Sequence, residues 1–281
     1  MIWYAWIFIH LHLSQQSEEV VAVATFFHTK TGSGLLLAVG LLAVVALGPM
    51  AVSALIALVF MACVVELALF AYFIKSNQVK NAYGALVLQS LIVTGGALAM
   101  TYVVHSYGSW LTMIVVAAVY CENAGAQIFG KVFGRTKLAP RYSPNKTLEG
   151  AVAGWVCGNI AGIALLVLAS LWPNGVEVTW EWAWIALAAP PLAEFGDWIE
   201  SRLKRRVGVK DSGDLTKMST PVIRILGLSW LLHRQGGALD KTDSLWFVMC
   251  IVPWMLISPL FAGIVLGLIV ILAIAYVVKL D

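Results

Sequence analysis

Apolar stretches of bilayer-spanning or near-spanning length recur along the chain, and they leave few folds open to it. They lie at about 33 to 48, 51 to 74, 84 to 104, 108 to 128, 148 to 172, 180 to 200 and 259 to 279, with shorter runs at 2 to 13 and 245 to 257. A helix rising about 1.5 Å per residue needs about 20 apolar residues to cross a hydrocarbon core of about 30 Å. Hydrophobic residues fill 60% of the 281 positions and charged residues 12%, a balance foreign to a water-soluble domain of this length. The fold expected is therefore all-α, a polytopic transmembrane bundle of eight or nine spans. No repeat of fixed period and no linker divides it, so residues 1–281 read as a single membrane domain: N-terminal helices over 1–107, and a portion over 108–281 that carries the polar motifs.

Charge orients the bundle. The net charge is small, +3, but residues 131 to 146 hold five Lys/Arg and no acid, and residues 202 to 217 hold six Lys/Arg. Both blocks are expected on the cytoplasmic face. The far-side crossing at Pro173 to Thr179 then carries no Lys or Arg, and parity puts Lys75 and Lys80 inside and His105 outside. Met1 to Leu13 has no basic residue ahead of its apolar run, so no cleaved secretory signal is expected. Cys63, Cys121, Cys157 and Cys250 sit in apolar runs without paired spacing and read as packing residues. Trp110, Trp172, Trp180, Trp182, Trp184 and Trp246 fall near run ends, as an aromatic belt would. Gly48-Pro49 and Ser258-Pro259 read as tight hairpins between adjacent runs. Ser219 to Leu232, about 21 Å long as a helix and interrupted by Arg224, reads as a re-entrant or interfacial helix, because a further crossing would break the parity.

Polar residues then stand out against this background. Glu194, Asp197, Ser201 and Lys204 follow i, i+3, i+7, i+10 and form one stripe on a helix leaving the membrane. A carboxylate at mid-bilayer costs roughly 2.5–3.5 kcal/mol, so a cation must compensate Asp197; the ordinary alternative is an interfacial cap with Glu200 and Lys204 as a surface pair. Asp240 and Asp243 stand i, i+3 before an apolar run, where helix-start acids are also favoured by the dipole. Mg²⁺ takes one or two carboxylates plus substrate phosphates, which Asp197 and Asp240 supply if the fold brings them together. Gly236-Gly237 permits close backbone approach to a phosphate. Ser143-Pro144-Asn145-Lys146-Thr147 reads as a helix start with Ser143 as cap, and Lys146 there suits a triphosphate or lipid phosphate. Glu66, alone in its span, is expected to pair within the bundle.

The motifs Gly130-Lys131-Val132-Phe133-Gly134, Lys137 to Pro140, Ser143 to Gly150, and then Ser201, Lys204, Arg205, Lys210, Asp211, Gly236, Gly237, Asp240 and Asp243 resemble the phosphatidate cytidylyltransferases, or CDP-diacylglycerol synthases. The resemblance covers about residues 120 to 245. It implies transfer of a cytidylyl group from CTP to phosphatidate, with pyrophosphate released, at the cytoplasmic face of a bacterial-type inner membrane. It further implies Mg²⁺, with or without a second, monovalent cation, held by Asp197, Asp240 and Asp243, with Asp211 ordering the shell and Lys210 acting alongside them. Ser143, Lys146, Thr147, Ser201, Lys204, Arg205, Gly236, Gly237, Lys241 and Asn123 are implied to bind substrate. The implied partners are CTP, phosphatidate and the lipid bilayer, with no nucleic acid; a homodimer stays open.

Four positions depart from the family pattern: Asn123 for Asp, Gln127 for Tyr, Gln235 for His and Lys241 for Arg. About sixteen extra residues also separate Leu215 from Gly236. The chain thus reads as a divergent member of the family, and a divergent paralogue with another lipid phosphate acceptor is an alternative reading. A CTP-dependent lipid or polyprenol kinase is the rival enzyme. A transporter is the rival outside enzymology, against which stands the gathering of charge on one face rather than at the midplane.

Overall fold

The computed structural model describes residues 47–79, 82–139, 143–171, 177–208 and 238–258, together with 260, 261, 263, 264 and 267. Over these residues the chain runs α1 (Pro49–Ser76), α2 (Tyr83–Tyr107), α3 (Ser109–Phe133), β1 (Lys137–Ala139), β2 (Ser143–Thr147), α4 (Leu148–Leu171), α5 (Trp180–Val207) and α6 (Ala238–Ile257). The helices α1 to α4 are each long and apolar enough to cross a membrane. Four such spans stand among the described residues; of the expected eight or nine, the runs at 2 to 13 and most of 33 to 48 and 259 to 279 lie outside them, as does the Ser219 to Leu232 segment. The all-α expectation also needs amending, because β1 and β2 pair as an antiparallel hairpin with Lys137 opposite Thr147 and Ala139 opposite Ser143.

Local chemistry sets the helix ends. Pro49 opens α1 at a position whose N–H has no helical partner to lose. Gly108 alone closes α2 and opens α3 at φ +83°, a left-handed conformation that costs a side-chain-bearing residue more than glycine. Ser258, expected in a hairpin, accepts the Phe261 amide on its hydroxyl at 3.3 Å.

Among the described residues, helices α3 and α4 share the most extensive interface, and the sequence explains why. Gly150, Gly154, Gly158 and Gly162 recur every fourth residue and form a stripe along α4. A Cβ added to Gly154 would fall 2.8 Å from both the Ala126 Cβ and the Glu122 carbonyl oxygen, and one added to Gly158 would fall 2.6 Å from the Ala118 carbonyl oxygen. The glycines cost helix propensity but let two backbones meet, and close packing drives association where lipid offers no hydrophobic gain. Elsewhere, α6 packs against α2 and α5. There a Cβ on Gly96 would collide with the Trp246 backbone.

The core lies between α2, α3, α5 and α6, with Ile114, Val115, Ile185, Trp246 and Met249 fully or almost fully buried. Two tryptophans expected in an interfacial belt, Trp182 and Trp246, belong to this core, whereas Trp180 and Trp184 are exposed. Cys63, Cys121, Cys157 and Cys250 are all free, as their spacing implied. Cys250 Sγ donates to the Ile92 carbonyl at 3.3 Å.

Candidate active site

Three segments far apart in sequence deliver charge to one end of the bundle. The first is the hairpin between α3 and α4. The Glu149 carboxylate accepts the amides of Arg135 and Thr136 at 3.0 Å each, and Leu148 N–H donates to the Thr136 carbonyl at 2.9 Å. These bonds fold the loop after α3 back onto the start of α4. Ser143 is therefore not the helix cap its sequence context suggested: it begins a strand, and Thr147 caps α4 by accepting the Gly150 amide at 3.2 Å. Gly130 and Gly134 make room for that cap, since added Cβ atoms would fall 3.1 and 2.5 Å from the Thr147 hydroxyl.

Lys146, carried by this strand, reaches across to α5. Its ammonium lies 2.8 Å from Glu194 Oε1 and 2.8 Å from Asp197 Oδ2. Burial alone would lower the lysine's pKa, but the Asp197 and Glu194 carboxylates outweigh it and raise the pKa above the usual lysine value, so the group stays charged. Ser201 donates to Asp197 Oδ1 at 3.4 Å from the next turn of α5. The stripe seen in the sequence therefore does face one site, through Glu194, Asp197, Ser201 and Lys204.

The third segment is the start of α6. Lys204 bridges Glu200 at 2.6 Å and Asp240 at 3.0 Å. The surface pair of Glu200 with Lys204, the ordinary alternative for this stripe, is in fact buried: the Glu200 side chain is 3% exposed and that of Lys204 13%. Helix α5 turns this face into the bundle, which the i, i+4 spacing alone does not disclose. Asp243, also buried, accepts the Ser244 amide at 2.6 Å. One carboxylate oxygen each from Asp197, Glu200 and Asp243 lies within 4.8 Å of the others. Asp240, expected beside Asp197 as a ligand, instead meets Lys204 in this arrangement.

This all-oxygen set suits a hard cation. Opposite ligands of a Mg²⁺ ion stand about 4.2 Å apart at a bond length of about 2.1 Å, so small side-chain movements close the set around one ion. Beside it, a cavity of about 20 Å³ is lined by Leu67, Phe70, Leu86, Gln89, Glu200 and Lys204, among others, room for one water-sized group.

Glu66 comes to the site from the middle of α1. Its oxygens accept the amides of Ala238 and Leu239 at 2.7 and 3.0 Å, so the expected pairing within the bundle is made with the first turn of α6 and sets where Asp240 and Asp243 begin. Asn123 is half-buried on α3 and Arg205 is exposed at the end of α5. The Lys241 carbonyl accepts the Tyr120 hydroxyl at 3.3 Å. Lys210, Asp211, Gly236 and Gly237 lie outside the described residues. Two buried acids near the site were not singled out in the sequence: Glu200, which its i+3 spacing from Asp197 could have signalled, and Glu122, whose i±3 and i±4 positions hold only Ala118, Val119, Gly125 and Ala126.

Comparison with known proteins gives this arrangement a context. A model of the cytidylyltransferase family matches residues 1–217, and Asp240 and Asp243 lie beyond the matched stretch. The chain is similar to the phosphatidate cytidylyltransferase of Staphylococcus aureus strain COL, 31% identical over 185 residues, which cover 66% of this chain and 64% of that protein. Those of Staphylococcus haemolyticus and Staphylococcus epidermidis are 30% and 29% identical with the same coverage. The chain thus spans 64% of the length of the curated relatives it matches.

Proposed function

Because the chain belongs to the cytidylyltransferase family, we propose that it transfers the cytidylyl group of CTP to phosphatidate at the cytoplasmic face of a membrane. One observation carries this reading to particular residues: the hairpin, the end of α5 and the start of α6 bring carboxylates and two lysines together at one end of an apolar bundle. A phosphate-transfer reaction at a lipid surface needs such a set, because its catalysis is mostly positioning and charge stabilisation.

The chemistry balances without a covalent enzyme intermediate. An anionic oxygen of the lipid phosphate attacks the α-phosphorus of CTP in line. The bond from that phosphorus to the oxygen bridging toward the β-phosphorus breaks, and pyrophosphate leaves with the bridging oxygen. CDP-diacylglycerol is the lipid product. The attacking group is already ionised, so no strong base is required.

Asp197, Glu200 and Asp243 would hold Mg²⁺, which would neutralise phosphate charge when bound. Ser201 orients Asp197, and Asp240 holds the Lys204 ammonium in place. Lys146 and Lys204 are kept charged among acids and present their remaining N–H donors to incoming phosphates. Arg205 extends positive charge toward the aqueous side, where the triphosphate arrives.

The test is direct. Purified protein is incubated with CTP labelled in the cytosine ring, phosphatidate and Mg²⁺, and the products are separated. Label in a lipid and stoichiometric pyrophosphate are expected, both lost with EDTA. CDP together with a newly phosphorylated lipid would instead identify a CTP-dependent kinase, and CTP left intact would remove the enzymatic reading.

A further inference from the structure

Gln89, in the second turn of α2, has no part in the site so far described, yet it is 6% exposed and its Oε1 has no hydrogen-bond partner among the described residues. It lines the cavity beside the carboxylate set, together with Glu200 and Lys204. Glu200 meets Lys204 through Oε2 at 2.6 Å, while its Oε1 has no hydrogen-bond partner either. A carboxylate accepts at about four lone-pair sites, more than one lysine and one cation occupy. Two buried acceptors without donors on one cavity are uncommon and call for a physical cause. The rest of the wall, Leu67, Phe70 and Leu86 among it, is apolar.

We propose that this cavity is the base-reading subsite for CTP, with the cytosine 4-amino group donating to Gln89 Oε1 and to Glu200, which makes Gln89 a specificity-determining residue for the nucleotide. The inference rests on the cytidylyltransferase reading and names what selects its nucleotide. The diacylglyceryl part of phosphatidate offers only ester oxygens, which are acceptors and leave both orphans unmet. A ribose hydroxyl supplies one donor. The cytosine amino group supplies two from one small nitrogen, and acidic side chains accept from it readily. The enclosed part of the cavity, about 20 Å³, has room for one group of that size. Counting the space that opens outward, the recess is about 320 Å³, at the lower end of the range for small-molecule sites, and its apolar wall suits a pyrimidine ring. Uracil would turn a carbonyl toward the same two acceptors, and a buried polar site left unpaired rejects the wrong ligand strongly.

Rates of nucleotidyl-lipid formation by the purified full-length chain, with phosphatidate and Mg²⁺, test the subsite. They are compared for CTP, UTP and the triphosphate of 2-pyrimidinone riboside, which carries hydrogen in place of the amino group. Wild-type kcat/KM is expected to be about 10²-fold lower with this analogue than with CTP, about tenfold for each lost hydrogen bond, and lower still with UTP. Gln89→Leu is expected to shrink the ratio of CTP to analogue about tenfold, whereas a residue that only packs would lower both rates together and leave the ratio alone. Circular dichroism establishes that the variant keeps its helices, and Gln89→Met carries the test if Gln89→Leu does not insert. Equal use of CTP and the analogue by the wild type would overturn the subsite and leave an ordered water only in the cavity. A ratio unchanged in a folded Gln89 variant would also overturn it, by placing recognition of the amino group elsewhere. In both cases lipid product from CTP would leave the proposed reaction standing; a wild type that forms no lipid product from any of the three would remove the reaction together with the subsite.

Discussion

Lys146 holds two carboxylates of α5 at 2.8 Å each, and its removal therefore acts twice: it strips a phosphate-binding ammonium and leaves Glu194 and Asp197 to repel each other. Lys146→Met is expected to lower kcat/KM for CTP by about 10²–10³-fold, the range seen when one transition-state donor is deleted. Lys137→Met, on the exposed part of the same hairpin, should leave it unchanged. Steady-state kinetics on the two variants check this, and equal values for both would reduce Lys146 to a structural tie. Lys146 was legible in the sequence because a lysine beside a helix start inside an apolar chain has few other uses, and Asp197, Ser201 and Lys204 because their spacing makes one helical stripe. Glu122 was not legible near the site, and Glu200 only through its i+3 spacing from Asp197. Glu122 has no polar neighbour at i±3 or i±4, where Ala118, Val119, Gly125 and Ala126 stand, to suggest a stripe. Glu200 has Lys204 at i+4, a pairing that looks the same on a solvated face as in a buried one.

At the scale of elements, the site depends on where α6 begins, and that is set by a residue from another helix. The Glu66 carboxylate takes two amides of the first α6 turn at 2.7 and 3.0 Å while itself 2% exposed. Hydrogen bonds to a charged group contribute about 1.5–3 kcal/mol each, so Glu66→Ala is expected to destabilise the fold by about 3 kcal/mol, with Glu66→Gln intermediate because it keeps one acceptor oxygen. Denaturant titration of the purified variants measures this; an unchanged midpoint for Glu66→Ala would show that α6 starts correctly without the cap. The sequence announced that Glu66 needed a partner, since an acid in mid-span is costly, but a cap formed across the bundle depends on tertiary approach that no local pattern encodes. The same limit applies to Ser143-Pro144-Asn145-Lys146-Thr147, whose composition satisfies the rules for a helix start. The Glu149 carboxylate, by gathering the Arg135 and Thr136 amides, is what folds that stretch into a strand instead.

Across the whole molecule, helix direction alternates so that charge collects at one end. His105, at the end of α2, bonds Ser53, in the first turns of α1, at 2.9 Å, which marks the end remote from the site. Glu177 and the start of α5 belong to that same end by the alternation of α3, α4 and α5. Among the described residues, Lys75, Lys131, Arg135, Lys137, Lys146, Arg202, Lys204, Arg205, Arg206 and Lys241 all fall at the site end of their segments, and no Lys or Arg falls at the other. Such one-sided placement supports the proposed cytoplasmic orientation, and it fits the proposed reaction, because a nucleoside triphosphate does not cross a bilayer and must reach its site from the compartment that contains it. The arrangement can be tested with single cysteines at Lys137 and Glu177, both exposed, in a background lacking the four native cysteines. A membrane-impermeant thiol reagent added to intact cells is expected to label the cysteine at 177 and spare the one at 137, with the pattern reversed in inside-out vesicles. Labelling of 137 from outside would invert the bundle. Lys146, Asp197 and Asp243 would then face away from cytoplasmic CTP, and the proposed reaction would lose access to its nucleotide.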